Sequence, residues 1–547
     1  MAGLSLLDIG FFIAESKASP KHVGGLLILS RPQGAPANWV KKLYTEMMTH
    51  TEVKAPLDRV IELSLTALPH WREGVAVDLK KHVFYHRMEK GDGDRKALYR
   101  LIAKLHEPML DRSRPLWEVH VIDGLDDGRF ALYQKMHHAC ADGITMVRWT
   151  TESLSTSADD PRLMPLWTRP GAGRGSTRRR EQELFGKLLR TVLGAGRHAL
   201  GAGRLSAMLL FESMTLTKNA IALPFVSTAR TPLTGTVTKG RQFASAEVPM
   251  ARVNLLRERT RSTLNHIALT CLDGALRRYL SDLAIELDRP ITIQMPVSLR
   301  RDGERGSGNK IGIIQVELSP PTDDPYVRLR NIGFSLRAVR NMVDRVAPEA
   351  IQSYTVVVGL VAQIAEMLNL SDYAPPTGNT LVSNVPGPKD YLYLRGARME
   401  EMHPISTLPA SNLLNITLFS YAGRLFFGLI ATDRLPELGR LAKYVSEAFV
   451  ELEAAVFDAQ RPVPARATEE RPAMQSPARP AAASDSTATA DATRERTGTA
   501  SALDAATAAR QPGRKRGGRR AEGSPVPAVR AGANGARRPR TQRRARA

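Results

Sequence analysis

The sequence predicts an α/β fold with mixed sheets, arranged as two domains around a shared cleft. Segments with helical spacing and strand-like segments are interspersed in both halves of the chain, and neither half repeats the other. At 547 residues and 43% hydrophobic content, the chain can bury a substantial core. We divide it into a first domain over 1–170, a crossover segment over 171–235, a second domain over 236–460 and a tail over 461–547.

The first domain alternates short helices and strands before it reaches a hairpin. Helical spacing predicts three helices before the hairpin, and one apolar β-prone run predicts a strand that follows the first of them. The hairpin is predicted from two β-prone runs, 117–125 and 129–136, separated by Asp-Asp-Gly at 126–128. The predicted helices cover 6–15, 40–48 and 98–105, and the single strand covers 23–29.

The crossover segment contains a long helical pattern at 183–216 that glycines interrupt. One face of this helix is basic, with Lys187, Arg190, Arg197 and Arg204 at spacings of three, seven and seven residues. A basic amphipathic helix can lie on a membrane surface. It can equally dock its apolar face on its own protein, which is the interpretation that we favour.

The second domain contains the clearest helix of the sequence, at 264–283, with Ser262 or Thr263 as its N-cap. Asp324 and Pro325 have the residue types that begin a further helix. The remaining elements are a strand at 291–300, paired strands at 413–419 and 425–432 that turn at Ala422-Gly423, a buried helix at 355–365 and a final helix at 436–457.

The tail carries more than half of the net charge of +22. Residues 461–547 contain 19 Lys and Arg against 7 Asp and Glu, and they contain no aromatic residue. This composition cannot bury enough apolar surface to fold, so we predict a disordered tail. The basic runs at 514–520 and 537–546 suit nucleic acid, an anionic membrane surface or no dedicated partner at all.

Cysteine content and hydropathy indicate a reducing compartment and no membrane span. The only cysteines are Cys140 and Cys271, too few for a disulfide framework. The N-terminus lacks the basic region of a signal peptide, and no uncharged apolar run reaches the roughly 18 residues that span a bilayer.

The motif HHACADG, which contains His137, His138, Asp142 and Gly143, follows the predicted hairpin directly. Adjacent residues of an extended strand point to opposite faces, so only one of the two histidines would face a given cavity. Such an imidazole can act as a general base near neutral pH. Asp142 would orient that ring or brace the loop, and we expect Gly143 to adopt a backbone geometry forbidden to other residues. The first alternative is that both histidines are structural residues of the surface or core. A zinc site that includes Cys140 is the second, but its ligand spacing matches no known zinc signature.

The HHxxxDG pattern resembles the active-site motif of CoA-dependent acyltransferases and of peptide-synthetase condensation domains. Further stretches occur in a fixed order around it, and together they resemble the bacterial wax ester synthase/acyl-CoA:diacylglycerol acyltransferases over about 4–456. PLWE ahead of HHxxxDG favours this branch over condensation domains. The stretches are LSLLDIGFFIAES with HVGG, LDRSRPLWE, HHACADG, MPVSLR with GNKIG, and SNVPGP.

The resemblance implies two chloramphenicol-acetyltransferase-like domains with a tunnel between them. It makes His138 the general base, which takes a proton from a hydroxyl that attacks the thioester of acyl-CoA. Acyl-CoA is then a co-substrate, and neither a cofactor nor a metal is needed. Asp142 would pair with Arg300 in an architectural role, and His137 would help to shape the loop.

The chain departs from the family pattern at three places. His266 stands where the family has aspartate in the first turn of a helix, a position that favours negative charge over a histidinium. We therefore expect an effect on stability or on helix placement. The stretch LTG at 233–235 replaces the family's LNG, and the stretch at 88–93 lacks a proline-rich turn.

The predicted function is acyl-CoA-dependent synthesis of triacylglycerol or wax ester by a cytoplasmic enzyme, bound peripherally to a membrane or lipid droplet. A carrier-protein-dependent condensation enzyme is the first alternative. A non-catalytic basic scaffold that binds lipid droplets or polyanions is the second, and the intact HHxxxDG and PLWE motifs argue against it.

Overall fold

Two six-stranded mixed sheets and one small three-stranded sheet form the framework of the structure, a computed structural model. It describes residues 2–4, 6–62, 69–89, 91–169, 228–298, 311–346 and 348–458. The predicted crossover helix, the end of the strand predicted at 291–300 and the predicted tail lie outside these ranges. The α/β class with mixed sheets in both halves of the chain is confirmed.

The strands are β1 (Ala2–Gly3), β2 (His22–Ser30), β3 (Val60–Glu62), β4 (His70–Arg72), β5 (Val83–Arg87), β6 (Trp117–Asp123), β7 (Phe130–His137), β8 (Arg241–Pro249), β9 (Thr292–Ser298), β10 (Ile311–Glu317), β11 (Thr380–Pro386), β12 (Tyr393–Leu394), β13 (Ala397–Ile405), β14 (Leu414–Tyr421) and β15 (Arg424–Thr432). The α-helices of the described ranges are α1 (Leu6–Ala14), α2 (Trp39–Met47), α3 (Arg95–His106), α4 (Gly143–Glu152), α5 (Met250–Thr260), α6 (Leu264–Asp282), α7 (Pro325–Val343), α8 (Pro348–Met367) and α9 (Leu438–Phe457).

The first large sheet has the strand order β12-β13-β2-β7-β6-β5. The predicted hairpin is confirmed, because β6 and β7 pair antiparallel from Trp117 opposite Met136 to Ile122 opposite Ala131. Gly128 closes the turn at φ +77°, a left-handed conformation that favours glycine. Every residue of β7 is buried, so the strand that leads to the histidine motif runs through the middle of the sheet.

Two strands of this sheet come from the second half of the chain. β13 pairs antiparallel with β2, and the short β12 extends the sheet beyond it. A β-bulge between Met399 and Glu401 shifts the register of the β13–β2 pair. The bulge breaks the alternation of buried and exposed residues, and for this reason the sequence pattern did not predict β13.

A buried carboxylate fixes β13 to both sheets. Glu401 is buried, and it accepts hydrogen bonds from Arg95 at 2.6 and 2.8 Å and from Arg129 at 2.6 Å. His403 donates to it through Nε2 at 2.8 Å and accepts through Nδ1 from Ser245 of β8, also at 2.8 Å. Burial would raise the pKa of Glu401, but these partners lower it well below its usual range. The carboxylate is therefore charged and fully engaged.

The second large sheet has the order β10-β9-β11-β14-β15-β8. The predicted β14–β15 hairpin is confirmed, and its turn places Ala422 and Gly423 at φ +43° and +76°, as in a type I′ turn. Helices α6 and α9 pack together, α9 packs on β8, and the core on this side includes residues of both helices. The predicted caps are confirmed at Thr263 for α6 and at Asp324 for α7.

The two large sheets approach each other where β13 lies beside β15. A Cβ atom on Gly428 would lie 1.9 Å from the carbonyl oxygen of Pro404, a distance that no side chain tolerates. Glycine at this position therefore permits the contact between the sheets.

The helix predicted at 355–365 is part of α8, but it is buried on one side only. Ala362 and Gln363 are buried, whereas Ile364 and Met367 are exposed. The prediction of a helix is confirmed, and the prediction that it is buried holds for one face. None of the helices in the described ranges combines the length and the apolar character that crossing a bilayer requires.

We predict that Glu401→Gln lowers the free energy of unfolding by about 3 kcal/mol, because two guanidinium groups lose their buried counter-charge. The measurement is urea denaturation followed by circular dichroism.

Glu400→Gln is the matched control, since it removes the same charge from the adjacent residue. Glu400 pairs with Arg398, which is half exposed, so its loss should cost about 1 kcal/mol or less. Equal losses in the two variants would contradict the central role of Glu401.

Candidate active site

The two histidines of the motif lie where β7 ends and an irregular loop begins, as predicted. His137 is the last residue of β7 and is fully buried, whereas His138 is half-buried. The loop then leads to α4, which begins at Gly143. Of the two histidines, only His138 is partly exposed.

The surroundings of His138 suit a general base. Its backbone N–H donates to the carbonyl of Lys21 at 2.9 Å, and its ring stacks on Phe11 with the centroids 4.2 Å apart. Nδ1 is buried and has no hydrogen-bond partner among the described residues. Burial lowers the pKa of His138 below 6.5, although the carboxylates of Asp142 and Asp8 oppose this effect. The imidazole is therefore neutral, and able to accept a proton, at pH 7.

The hydrogen bonds of His137 are made with the backbone of neighbouring segments. Its backbone N–H donates to the carbonyl of Leu116 in the PLWE stretch at 3.0 Å. Its Nδ1 accepts from the backbone N–H of Ala139 at 3.1 Å, so the ring proton is on Nε2, which faces Glu15 Oε2 at 3.5 Å. The ring also stacks on Phe12, with the centroids 4.5 Å apart. These contacts support the predicted role of His137 in shaping the loop.

Glu15 is a site residue that the sequence analysis missed. Its side chain is 1% exposed, and it accepts hydrogen bonds from the backbone N–H of Lys21 at 3.0 Å and from Arg112 at 2.9 and 3.2 Å. Burial alone would raise its pKa, but His137, Lys21 and Arg112 lower the pKa to about 2. The available signal was that two motif stretches, LSLLDIGFFIAES and LDRSRPLWE, each contain one charged member of this ion pair.

Asp142 braces the loop by capping α4. Its Oδ1 accepts from the backbone N–H of Thr145 at 2.7 Å, which is the usual bond of an N-cap. The expected partner Arg300 lies outside the described residues, so the Asp142–Arg300 pair remains a prediction.

The expectation for Gly143 is wrong. This residue begins α4, and it does not have the positive φ that only glycine adopts readily. A Cβ atom there would meet Val385 Cγ2 at 3.5 Å, an ordinary van der Waals distance. Gly143 instead marks where the motif loop lies against β11 of the second sheet.

Other motif stretches meet around this loop. His22 of HVGG lies opposite His137 in the β2–β7 register. Its neighbour Gly24 has room for no side chain, since a Cβ there would lie 2.7 Å from the Tyr133 ring. In SNVPGP, the Asn384 amide donates to Asn265 at the start of α6 at 2.8 Å.

His266 acts in α6 as a neutral acceptor. Its Nδ1 accepts from the backbone N–H of Thr263 at 3.4 Å. The backbone N–H of His266 donates to Thr263 Oγ1 at 3.3 Å, which completes a capping box. Burial and the charge of Arg337 lower the pKa of His266. The unfavourable histidinium is thereby avoided near neutral pH.

Within the described ranges, no three His, Cys, Asp or Glu side chains converge as metal ligands would. Cys140 is half-buried, Cys271 is buried, and neither forms a disulfide.

Comparison with known proteins places this geometry in a family. Residues 4–268 match the wax ester synthase/diacylglycerol acyltransferase catalytic domain, and residues 307–453 match the C-terminal domain of the same family. A putative diacylglycerol O-acyltransferase of Mycobacterium tuberculosis is 34% identical over 459 residues, covering 83% of this chain and all of the relative. A probable diacylglycerol O-acyltransferase of the same species is 32% identical over 458 residues, covering 82% and 98%.

Two solved structures share the fold. A wax ester synthase/diacylglycerol acyltransferase from Marinobacter aquaeolei VT8 matches with a TM-score of 0.65 and 27% identity, covering 83% of this chain and 100% of that one. The first condensation domain of the calcium-dependent antibiotic synthetase matches with a TM-score of 0.51 and 15% identity, covering 84% and 97%.

Fold and motif thus define an acyltransferase enzyme of the HHxxxDG class. The chain belongs to the wax ester synthase/diacylglycerol acyltransferase family.

We predict that Asp142→Ala lowers the free energy of unfolding by about 1 kcal/mol, because α4 loses its N-cap. Asp142→Asn keeps a capping oxygen and should stay within a few tenths of a kcal/mol of wild type. Urea denaturation of both variants is the measurement. If the asparagine variant loses as much as the alanine variant, the carboxylate charge and not the cap is what matters.

We predict that His266→Asp raises the free energy of unfolding by about 0.5 kcal/mol at pH 7, because a negative charge in the first turn of α6 suits the helix dipole. This substitution should also remove the loss of stability that protonation of His266 causes at acidic pH. The folded-state pKa of His266 lies below the unfolded value, so its contribution is present above about pH 6.5 and falls as the pH drops toward the lower folded pKa.

Unfolding at pH 5 and at pH 7 measures both effects of His266→Asp. His266→Asn removes the titration without adding charge, so it should flatten the pH dependence while leaving stability at pH 7 unimproved. An unchanged pH dependence in both variants would count against this role of His266.

Proposed function

We propose that this enzyme transfers a long-chain acyl group from acyl-CoA to the hydroxyl of diacylglycerol or of a long-chain alcohol, with His138 as the general base. The observation that carries the proposal is the setting of His138, a neutral, half-buried imidazole at the end of β7 whose Nδ1 is buried. The names of the relatives supply the substrate class.

In this reaction, His138 Nε2 takes the proton of the acceptor hydroxyl as its oxygen forms a bond to the thioester carbonyl carbon. The tetrahedral intermediate then expels the CoA sulfur, which takes the proton back from the imidazolium. The products are an ester and CoA. The proton returns within one turnover, so no acyl-enzyme, metal or resident cofactor is required.

The neighbouring residues support this chemistry without touching the reacting atoms. The charge of Asp142 acts on the His138 ring from the start of α4, and it favours the imidazolium that forms during the reaction. His137 Nδ1 accepts a hydrogen bond from the backbone N–H of Ala139, and it thereby holds the backbone next to His138.

The acceptor lipids partition into membranes and lipid droplets, so we propose that the enzyme works on the cytoplasmic side at such surfaces as a peripheral protein. Its partners are then acyl-CoA, the lipid acceptor and the surface itself. Nucleic acid enters this proposal only as a polyanion for the basic tail.

We predict that His138→Ala lowers the rate about 10²–10⁴-fold, the usual cost of removing a general base. The assay uses full-length protein with palmitoyl-CoA and either dioleoylglycerol or hexadecanol, and it follows thiol release and ester formation. In wild type, kcat/KM should fall only when the pH drops below about 6.5, because the pKa of His138 is lowered and the protonated ring cannot act as a base.

His50→Ala is the matched control, since it removes a histidine from the loop after α2 and should leave the rate unchanged. Full activity of His138→Ala would refute the mechanism. No ester from either acceptor with wild type, together with activity on a carrier-bound acyl group, would support the condensation alternative. Lipid or polyanion binding without turnover would support the scaffold.

A further inference from the structure

Helix α1 contacts both histidines of the motif. Phe11 stacks on His138, and the next residue, Phe12, stacks on His137. Glu15 follows directly after the helix, and its Oε2 faces His137 Nε2 at 3.5 Å. The end of α1 is therefore positioned to influence the reacting imidazole, although it does not itself provide a group that can take or give a proton to the substrate.

Among the described residues, the groups that contact the Glu15 carboxylate are donors. Lys21 N–H donates to Oε1, and Arg112 donates to Oε2 through Nε and Nη2. His137 Nε2–H faces Oε2 at 3.5 Å. A group with two acceptor oxygens and no proton satisfies this set. An amide would place its NH₂ group against at least one of these donors.

Two chains of contacts lead from Glu15 to the backbone of the motif. In the first, Lys21 donates its N–H to Glu15 and accepts the His138 N–H at 2.9 Å through its carbonyl. In the second, the His137 ring that faces Glu15 accepts the Ala139 N–H at 3.1 Å. The backbone N–H groups of both His138 and Ala139 are thus held by residues that contact Glu15.

The second chain of contacts depends on the tautomer of His137. Nδ1 can accept from Ala139 only when the ring proton is on Nε2, and a carboxylate opposite Nε2 favours that state. If the proton moved to Nδ1, two donors would face each other inside the loop. Loss of this bond would release the backbone next to His138.

We infer that Glu15 is a positioning residue for the transfer reaction, which holds His137 in its Nε2–H tautomer and thereby fixes the backbone that carries His138. The inference rests on the proposed role of His138 as the base. Glu15 does not contact the reacting atoms. Among the described residues, Asp142 and Asp8 act on the His138 ring, and Arg112 pairs with Glu15 beside His137.

The first test is a tautomer measurement on the wild-type protein. Nitrogen-15 NMR of protein labelled at histidine distinguishes protonated from unprotonated ring nitrogens, and the His137→Gln variant identifies the signals of His137. We expect an unprotonated Nδ1 and a protonated Nε2. The opposite tautomer would overturn the inference, and this result needs neither activity nor a Glu15 variant.

The second test is Glu15→Gln. We expect kcat to fall about 10²-fold, the scale of a misplacement of about 1 Å in a reacting group, with KM nearly unchanged. The His137 signals should lose their tautomer preference. Glu15→Asp keeps both acceptor oxygens and should recover part of kcat and of the preference.

Asp273→Asn is the matched control, because it also removes a buried carboxylate paired with two arginines, Arg277 and Arg328, on helices α6 and α7. It should lower stability but leave kcat and the His137 signals unchanged. Wild-type kcat and His137 signals in Glu15→Gln would overturn the inference. If that variant does not fold, the wild-type tautomer decides. Activity that survives His138→Ala would refute the proposed general base. The NMR measurement would still determine the tautomer of His137 in that case.

Discussion

The pairing of β13 with β2 is the constraint on which the rest of the structure depends. β2 has β13 on one side and β7 on the other, so its position is set by a strand from the far end of the chain. β2 begins opposite His137, and Lys21, just before it, accepts the backbone N–H of His138. The contact between the two sheets, possible because residue 428 is glycine, therefore also determines where the motif loop lies.

Two buried carboxylates stabilise this arrangement at different places. Removing a carboxylate from water costs several kcal/mol unless donors and positive charge surround it. Glu401 on β13 is surrounded by Arg95, Arg129 and His403. Glu15, beside the motif, is surrounded by Arg112, the Lys21 N–H and His137. Each carboxylate ties together segments that are distant in sequence, so the charges specify the geometry as well as contribute to stability.

The local sequence pattern was enough to predict the elements whose determining residues lie close together in the sequence. Spacing, turn residues or capping residues predict each of these elements: the hairpin before the motif, the β14–β15 turn, α6 with its Thr263 cap and the helix start at Asp324. β13 was missed because a bulge disrupts its alternation. Glu15 was missed because its partners lie six, 97 and 122 residues away. The expectation of a glycine-only backbone at Gly143 was wrong, because the residue begins α4 without a positive φ and a Cβ there would make only an ordinary contact with Val385.

The late strand of the first sheet also governs the order in which the protein can form on the ribosome. Ser30 Oγ donates to Glu400 Oε1 across 370 residues, and β2 cannot gain this neighbour until β13 has been synthesised. During most of synthesis, β2 is an edge strand whose polar backbone groups lack their final partner, a situation that invites pairing with other chains. A nascent first domain is thus an incomplete folding unit, and a fragment that ends before residue 393 retains that open edge permanently.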